Sequence, residues 1–110
     1  MAYDEDLADR LREALQDESG VVEKRMFGGL AFLVNGNMAV AASGQGGLML
    51  RVEPQATEGF LDEPAVRRME MRGREMDGWL RIDSAAVAQD DDLRRWVAVG
   101  VDYAGSLPPK

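Results

Sequence analysis

A chain of 110 residues without a single cysteine or histidine lacks the side chains for a disulfide, a thiolate nucleophile, a Ser-His-Asp triad or an ordinary zinc site. Its 45% hydrophobic and 30% charged residues suit one soluble globular domain spanning residues 1–110, with too little chain for a second core. The formal net charge of −7 opposes non-specific binding to nucleic acid, which is driven by neutralising phosphates.

Met1-Ala2-Tyr3-Asp4-Glu5-Asp6 is acidic where a signal peptide is basic, and no apolar run reaches the roughly 18 residues needed to cross a bilayer. A cytoplasmic protein without membrane contact is expected, and the missing cysteines agree with a reducing compartment. The first element is a helix from about Asp4 to Gln16. Leu7, Leu11 and Leu15 recur every four residues, and Asp4, Glu5, Asp6 and Asp9 crowd the end where the helix dipole favours negative charge. Gly20 closes it, and Val21-Val22 open an extended segment.

The segment from Lys24 to Val40 organises the rest. Leu30 to Val34 is an apolar run ending at Asn35-Gly36, and Met38 to Ala42 resumes it. Asn-Gly accepts positive φ at both central positions, so two strands joined by a type I′ turn are expected. Gly28-Gly29 is read as a kink within one long strand. A turn there would make Val21 to Phe27 another hairpin arm with four charged or bulky outward positions.

Ser43 to Gly47 is a loop, and Leu48, Leu50 and Val52 alternate with Met49 and Arg51 in a third strand. Pro54 suits the first turn of a short helix carrying Ala56, Phe60 and Leu61, which Pro64 stops. Val66 to Met71 is extended, Gly73 and Gly78 bracket a loop, and Trp79 to Asp83 forms the fifth strand, with Leu80 and Ile82 on one side and Trp79 and Arg81 on the other. Ser84 begins a short turn through Val87. In the last helix, Asp90, Asp91 and Asp92 precede Leu93, Trp96, Val97, Gly100, Val101, Ala104 and Leu107 at helical spacing. The order α, three strands, α, two strands, α predicts an α+β fold of two layers, an antiparallel five-stranded sheet with helices mainly on one face.

Motifs that announce chemistry are scarce. Asp90, Asp91 and Asp92 point about 100° apart on a helix and cannot converge on one ion alone, so they read as a helix N-terminus. Glu70, Glu75 and Asp77 could pair for acid-base work, but solvated loop charges are the simpler reading. Gly44-Gln45-Gly46-Gly47 leads into a strand and lacks the Lys-Ser or Lys-Thr of a phosphate loop. No catalytic residue, metal ligand or cofactor site is assigned.

Leu7 and Leu11, the run Val21-x-x-Lys24-Arg25-Met26-Phe27-Gly28-Gly29, Asn35-Gly36 with Met38-Ala39, Leu48-x-Leu50-Arg51-Val52 and Met76-x-Gly78-Trp79 together resemble the N-terminal domain of the TfoX/Sxy family. The likeness covers nearly the whole chain. It implies the same order of elements, a fold akin to secretion chaperones, and a link to natural competence, which larger members regulate as transcriptional coactivators using a second, C-terminal domain. This chain departs from those larger members, ending at Lys110 straight after the last helix, so a stand-alone form is expected. The family has no established catalytic residues to carry over.

The functional expectation is a non-enzymatic regulatory or protein-binding module. A chaperone-like homodimer is the alternative, supported by the adaptable side chains of Met26, Met38, Met49, Met69, Met71 and Met76. A carboxylate-dependent hydrolase using Glu75 or Asp77 ranks last. Both faces of the central hairpin are apolar, while Lys24, Arg51, Arg68 and Arg81 surround it. The outer face is therefore expected to bind a second copy or another protein, with Phe32 or its neighbours Ala31 and Leu33 at the centre. Arg67, Arg68, Arg72 and Arg74 either seat an acidic partner or balance the acidic first helix, the second being favoured.

Overall fold

The computed structural model describes residues 3–109 except 27, 45 and 72, with only the backbone described at Met71. Helix α1 spans Glu5–Ala14, and Asp4 caps it by accepting a hydrogen bond from the Leu7 amide at 3.2 Å. That bond satisfies one of the amides that a helix start leaves without a partner. Leu7, Ala8 and Leu11 are buried, and Gly20, with φ of +75°, turns the chain into the sheet.

Six strands follow: β1 (Val21–Met26), β2 (Gly29–Val34), β3 (Asn37–Ala42), β4 (Leu48–Arg51), β5 (Val66–Met71) and β6 (Arg74–Ile82). They form one antiparallel sheet in the order β1-β2-β3-β4-β6-β5. The sixth strand corrects the expected five. Gly28-Gly29 is not a kink: Met26 pairs with Gly29, so a tight turn joins β1 to β2. Gly28 supplies the positive φ of +76°. The outward charges that argued against another hairpin arm are tolerated because β1 is an edge strand, with Glu23, Lys24 and Arg25 exposed. At the next turn Asn35 and Gly36 take φ of 52° and 86°, the positive pair that the Asn-Gly sequence predicts.

A bulge between Phe32 and Leu33 leaves Ala39 as an extra residue, because Phe32 opposes Val40 and Leu33 opposes Met38. Ala39 and Val40 consequently both lie on the helix side, Ala39 against Ala104 and Val40 in the main core. Between β4 and β5 a 3-10 turn at Pro54–Ala56 runs into the single-turn helix α2, Thr57–Phe60. The expected loop between Gly73 and Gly78 is mostly strand. β6 starts at Arg74, and an irregularity takes it from Leu80 opposite Arg68 to Met76 opposite Met69. Gly78, at φ of +87°, sits within it.

Helix α3 spans Asp90–Ser106 and buries Leu93, Trp96, Val97, Gly100 and Ala104. Its three leading aspartates stand in the first turn, where they complement the dipole; Gln89 holds the capping position without a side-chain bond. The main core joins α1 and α3 to Leu30, Phe32, Val40, Ala42, Leu48, Leu50, Leu80 and Ile82 on one face of the sheet. Each fully buried leucine there contributes roughly 1.5–3 kcal/mol. Trp96 closes this layer with an edge-to-face contact to Phe60 at 5.7 Å. Among the described residues no helix is long and apolar enough to cross a membrane.

Candidate interaction surface

Strand alternation divides the apolar hairpin between two environments. Phe32 and Leu30 point to the helices, while Ala31 and Leu33 point away from them. Phe32, 1% exposed, is therefore core, which removes it from the three residues named for the centre of an outer interface. Its neighbours Ala31 and Leu33 do lie on the outer face.

That face carries a second apolar cluster of Ala31, Met38, Ala41 and Met49, with Met26, Leu33, Met69 and Trp79 packed against it. The four central side chains are at most 5% exposed, since larger neighbours shelter them. The half-buried side chains of Met26, Leu33, Met69 and Trp79 form the accessible apolar rim. Cations adjoin it. Lys24 stands opposite Ala31, Arg67 opposite Arg81, and Arg81 opposite Met49. Arg51 stacks between two rings, 5.3 Å from Trp79 and 5.6 Å from Tyr103 of α3, which fixes the indole at the border of the cluster.

Of the arginines expected to act together, the three described ones, Arg67, Arg68 and Arg74, do not form one group. Arg67 pairs with Asp83 at 2.9 Å on the outer side. Arg68 stands opposite Leu80, on the helix side, and reaches Asp77 at 2.9 Å and Glu58 at 3.5 Å. The hydrogen bond that it donates to the Asp77 carboxylate is the main reason its guanidinium is held above the ordinary arginine value. Arg74 is exposed at the start of β6, and Arg72 lies outside the described residues. Among the described residues, Arg67 and Arg68 pair with acids of neighbouring elements and not with the acidic first helix. Arg10 of α1 bonds Asp90 and the Val87 carbonyl, while Arg12 holds Asp9 and Glu23.

The motif residues play structural parts. Arg25 and Met26 end the edge strand, Gly28 makes its turn, and Asn35-Gly36 makes the next; Phe27 lies outside the described residues. Gly29 is needed for a reason other than conformational freedom. A Cβ there would collide with the backbone carbonyl of Ala42 and lie 3.0 Å from the Gly44 amide nitrogen.

Two buried polar residues escaped the sequence reading. Thr57 is fully buried; its hydroxyl donates to the Pro54 carbonyl at 2.8 Å and accepts from the Gly78 amide at 2.7 Å. Asn37 is 2% exposed and donates its amide to the Pro108 carbonyl at 3.0 Å, tying the end of the chain to β3. A threonine after a proline could have suggested the local half of the first arrangement. Nothing local signals the Asn37 contact, 71 residues away.

The carboxylates are spread out. Glu70 and Glu75 oppose each other and are exposed, and Asp77 is engaged by Arg68. Among the described residues no three acidic side chains group as metal ligands. The concavity between α1 and α3 holds about 220 Å³, and the one beside Gly46, Arg67 and Arg81 about 190 Å³. Both are smaller than the roughly 300–1,000 Å³ of typical small-molecule sites.

The family model described as the TfoX N-terminal domain matches residues 13–104. No curated protein and no solved structure gives a match to the chain.

Proposed function

Because the chain belongs to the TfoX N-terminal domain family, we propose that it is a non-enzymatic regulatory module that works by binding another protein on the face of the sheet turned away from its helices. The observation that carries this reading is the cluster of Ala31, Met38, Ala41 and Met49, with Met26, Leu33, Met69 and Trp79 around it and Lys24, Arg51, Arg67 and Arg81 nearby. Apolar side chains bordered by charge give an interface both area and orientation. Methionines repack around different shapes, which favours an induced or permissive fit. The complementary partner presents apolar residues flanked by carboxylates. The site of action is the cytoplasm, and the regulated process is natural competence or a related transcriptional response reached through protein contacts.

Leu33→Glu tests the reading. It places a carboxylate on the rim and sacrifices about 1 kcal/mol of packing, leaving the fold intact by circular dichroism. Wild type and variant are used side by side as bait in extracts of the native cell. Proteins retained by the wild type, lost from the variant and released by salt support the surface. Equal retention by both, or no specific partner for the wild type, overturns it.

A further inference from the structure

The two edges of the sheet are built differently. β5 is preceded by Pro64, engages acids through Arg67 and Arg68, and has a broken register with β6. These features discourage another strand from adding to it. β1 has none of them. Its six residues pair with β2 in continuous register, and its outer side is free of any neighbouring strand. Val22, 61% exposed, is the exposed large hydrophobic among the described residues. The side chains of Lys24 and Arg25 form no hydrogen bond or ion pair among the described residues, whereas that of Glu23 is held by Arg12.

We propose that β1 is a self-recognition edge, on which a second copy of this chain adds its own β1 antiparallel to make a twelve-stranded sheet across a two-fold axis. This edge borders the helix-free face at Lys24 and Met26, but its strand pairing does not depend on what that face binds.

The charge order selects the alignment. Two copies related by an axis normal to the sheet bring residues from the same face opposite one another. Centring on Glu23 opposes two carboxylates and sets Val22 against a lysine. Centring on Arg25 opposes two guanidiniums. Centring on Lys24 sets Glu23 against the partner's Arg25 and Val22 against the partner's Met26, each contact occurring twice. Lys24 meets its own copy at the axis, where two long stems can splay apart into solvent. The charges that guard the edge in the neighbouring alignments thus favour this one. Glu23 has acceptor capacity for both Arg12 and the incoming guanidinium. On the outer face, Val22 and the partner's Met26 extend the Leu33 and Met26 rim from one copy into the next.

The test exploits the reciprocity of the contact. Wild type is expected to dimerise reversibly in sedimentation equilibrium. Arg25→Glu sets carboxylate against carboxylate twice, and Glu23→Arg sets guanidinium against guanidinium twice. Each is expected to weaken the dimer about tenfold or more, because two attractive cross-strand pairs become repulsive. An equimolar mixture of the two variants restores both pairs and should form a heterodimer about as readily as wild type. Circular dichroism checks that each variant folds, and Arg25→Glu disturbs no bond within the monomer. A monomeric wild type, a dimer indifferent to either reversal, or a mixture that stays monomeric would overturn the proposal.

Discussion

Individual residues show how different physical causes can hide behind one residue type. Gly28 is required by its φ of +76°, with no atom of the described residues beyond its chain neighbours within 4 Å of the position its Cβ would occupy, whereas Gly29 is required by the Ala42 backbone beside it. Gly28→Ala should therefore cost about 1–2 kcal/mol, the usual penalty for a left-handed L-residue. Gly29→Val should cost about 1–3 kcal/mol by forcing β2 and β3 apart. Urea denaturation midpoints measure both, and an unchanged midpoint for Gly29→Val would remove the steric argument. Gly100 is a third case: a Cβ would lie 2.6 Å from the Ala39 carbonyl oxygen and 2.7 Å from Leu50 Cδ1. Gly100→Ala should destabilise despite alanine's advantage of about 1 kcal/mol within a helix. Thr57→Val leaves the Gly78 amide without its acceptor in a buried place, and a loss of about 1–3 kcal/mol is expected in the same assay. The sequence shows that these residues are present; what they approach depends on strands and turns that meet only after folding.

Among the elements, the strands with strong alternation were the most legible. Leu48, Leu50 and Val52 face the helices and Met49 faces away, as their spacing predicts. Apolar periodicity likewise located α1 and α3. β1 was merged with β2 into one long strand because Glu23, Lys24 and Arg25 in succession have little apolar signature of a separate hairpin arm, and its pairing with β2 rather than its composition makes it one. The first half of β6 was hidden for a similar reason, being polar and interrupted near Gly78. β1 is joined to α1 through Glu23, whose carboxylate accepts from Arg12 at 2.7 and 2.8 Å. That hydrogen bonding is the leading cause holding Glu23 below the ordinary carboxylate range. A depressed acid stabilises the fold above its unfolded value, near pH 4.3, and the contribution disappears as pH falls through its lower folded value. Wild type should thus melt above Glu23→Gln at pH 7, and the gap should close as pH falls below the unfolded value and through the lower folded one. A gap independent of pH would assign the difference to something other than this charge.

For the whole molecule, the α+β class and the chain order of the helices were readable, as was the family. That both faces of the central hairpin are apolar was readable too, but which residues serve each face was not. Leu30–Val34 and Met38–Ala42 are apolar throughout, but the bulge at Ala39 decides which residues serve each side. The outer cluster is consequently more sheltered than the sequence suggested, leaving Met26, Leu33, Met69 and Trp79 as its accessible rim. A partner should therefore feel Leu33→Glu or Trp79→Ala more than changes at the sheltered Ala31. Affinity measured against any partner identified with the wild-type bait tests that order, and equal losses at all three positions would contradict it.

Burial on both sides also has a consequence in time. The amides of β2, β3 and β4 lie between two apolar layers and have strands on either flank, whereas β1 and β5 each have one open edge. Local fraying can release the outer strands, but exposing the middle of the sheet demands that most of the molecule open at once. In deuterated solvent, amide protons of Phe32, Val40 and Leu50 should persist longest and lose protection together when denaturant is added. Those of β1 should be replaced much earlier, except at concentrations where pairing with a second copy covers the edge. The order in which hydrogens leave would then record separately the strength of the core and the occupancy of its border.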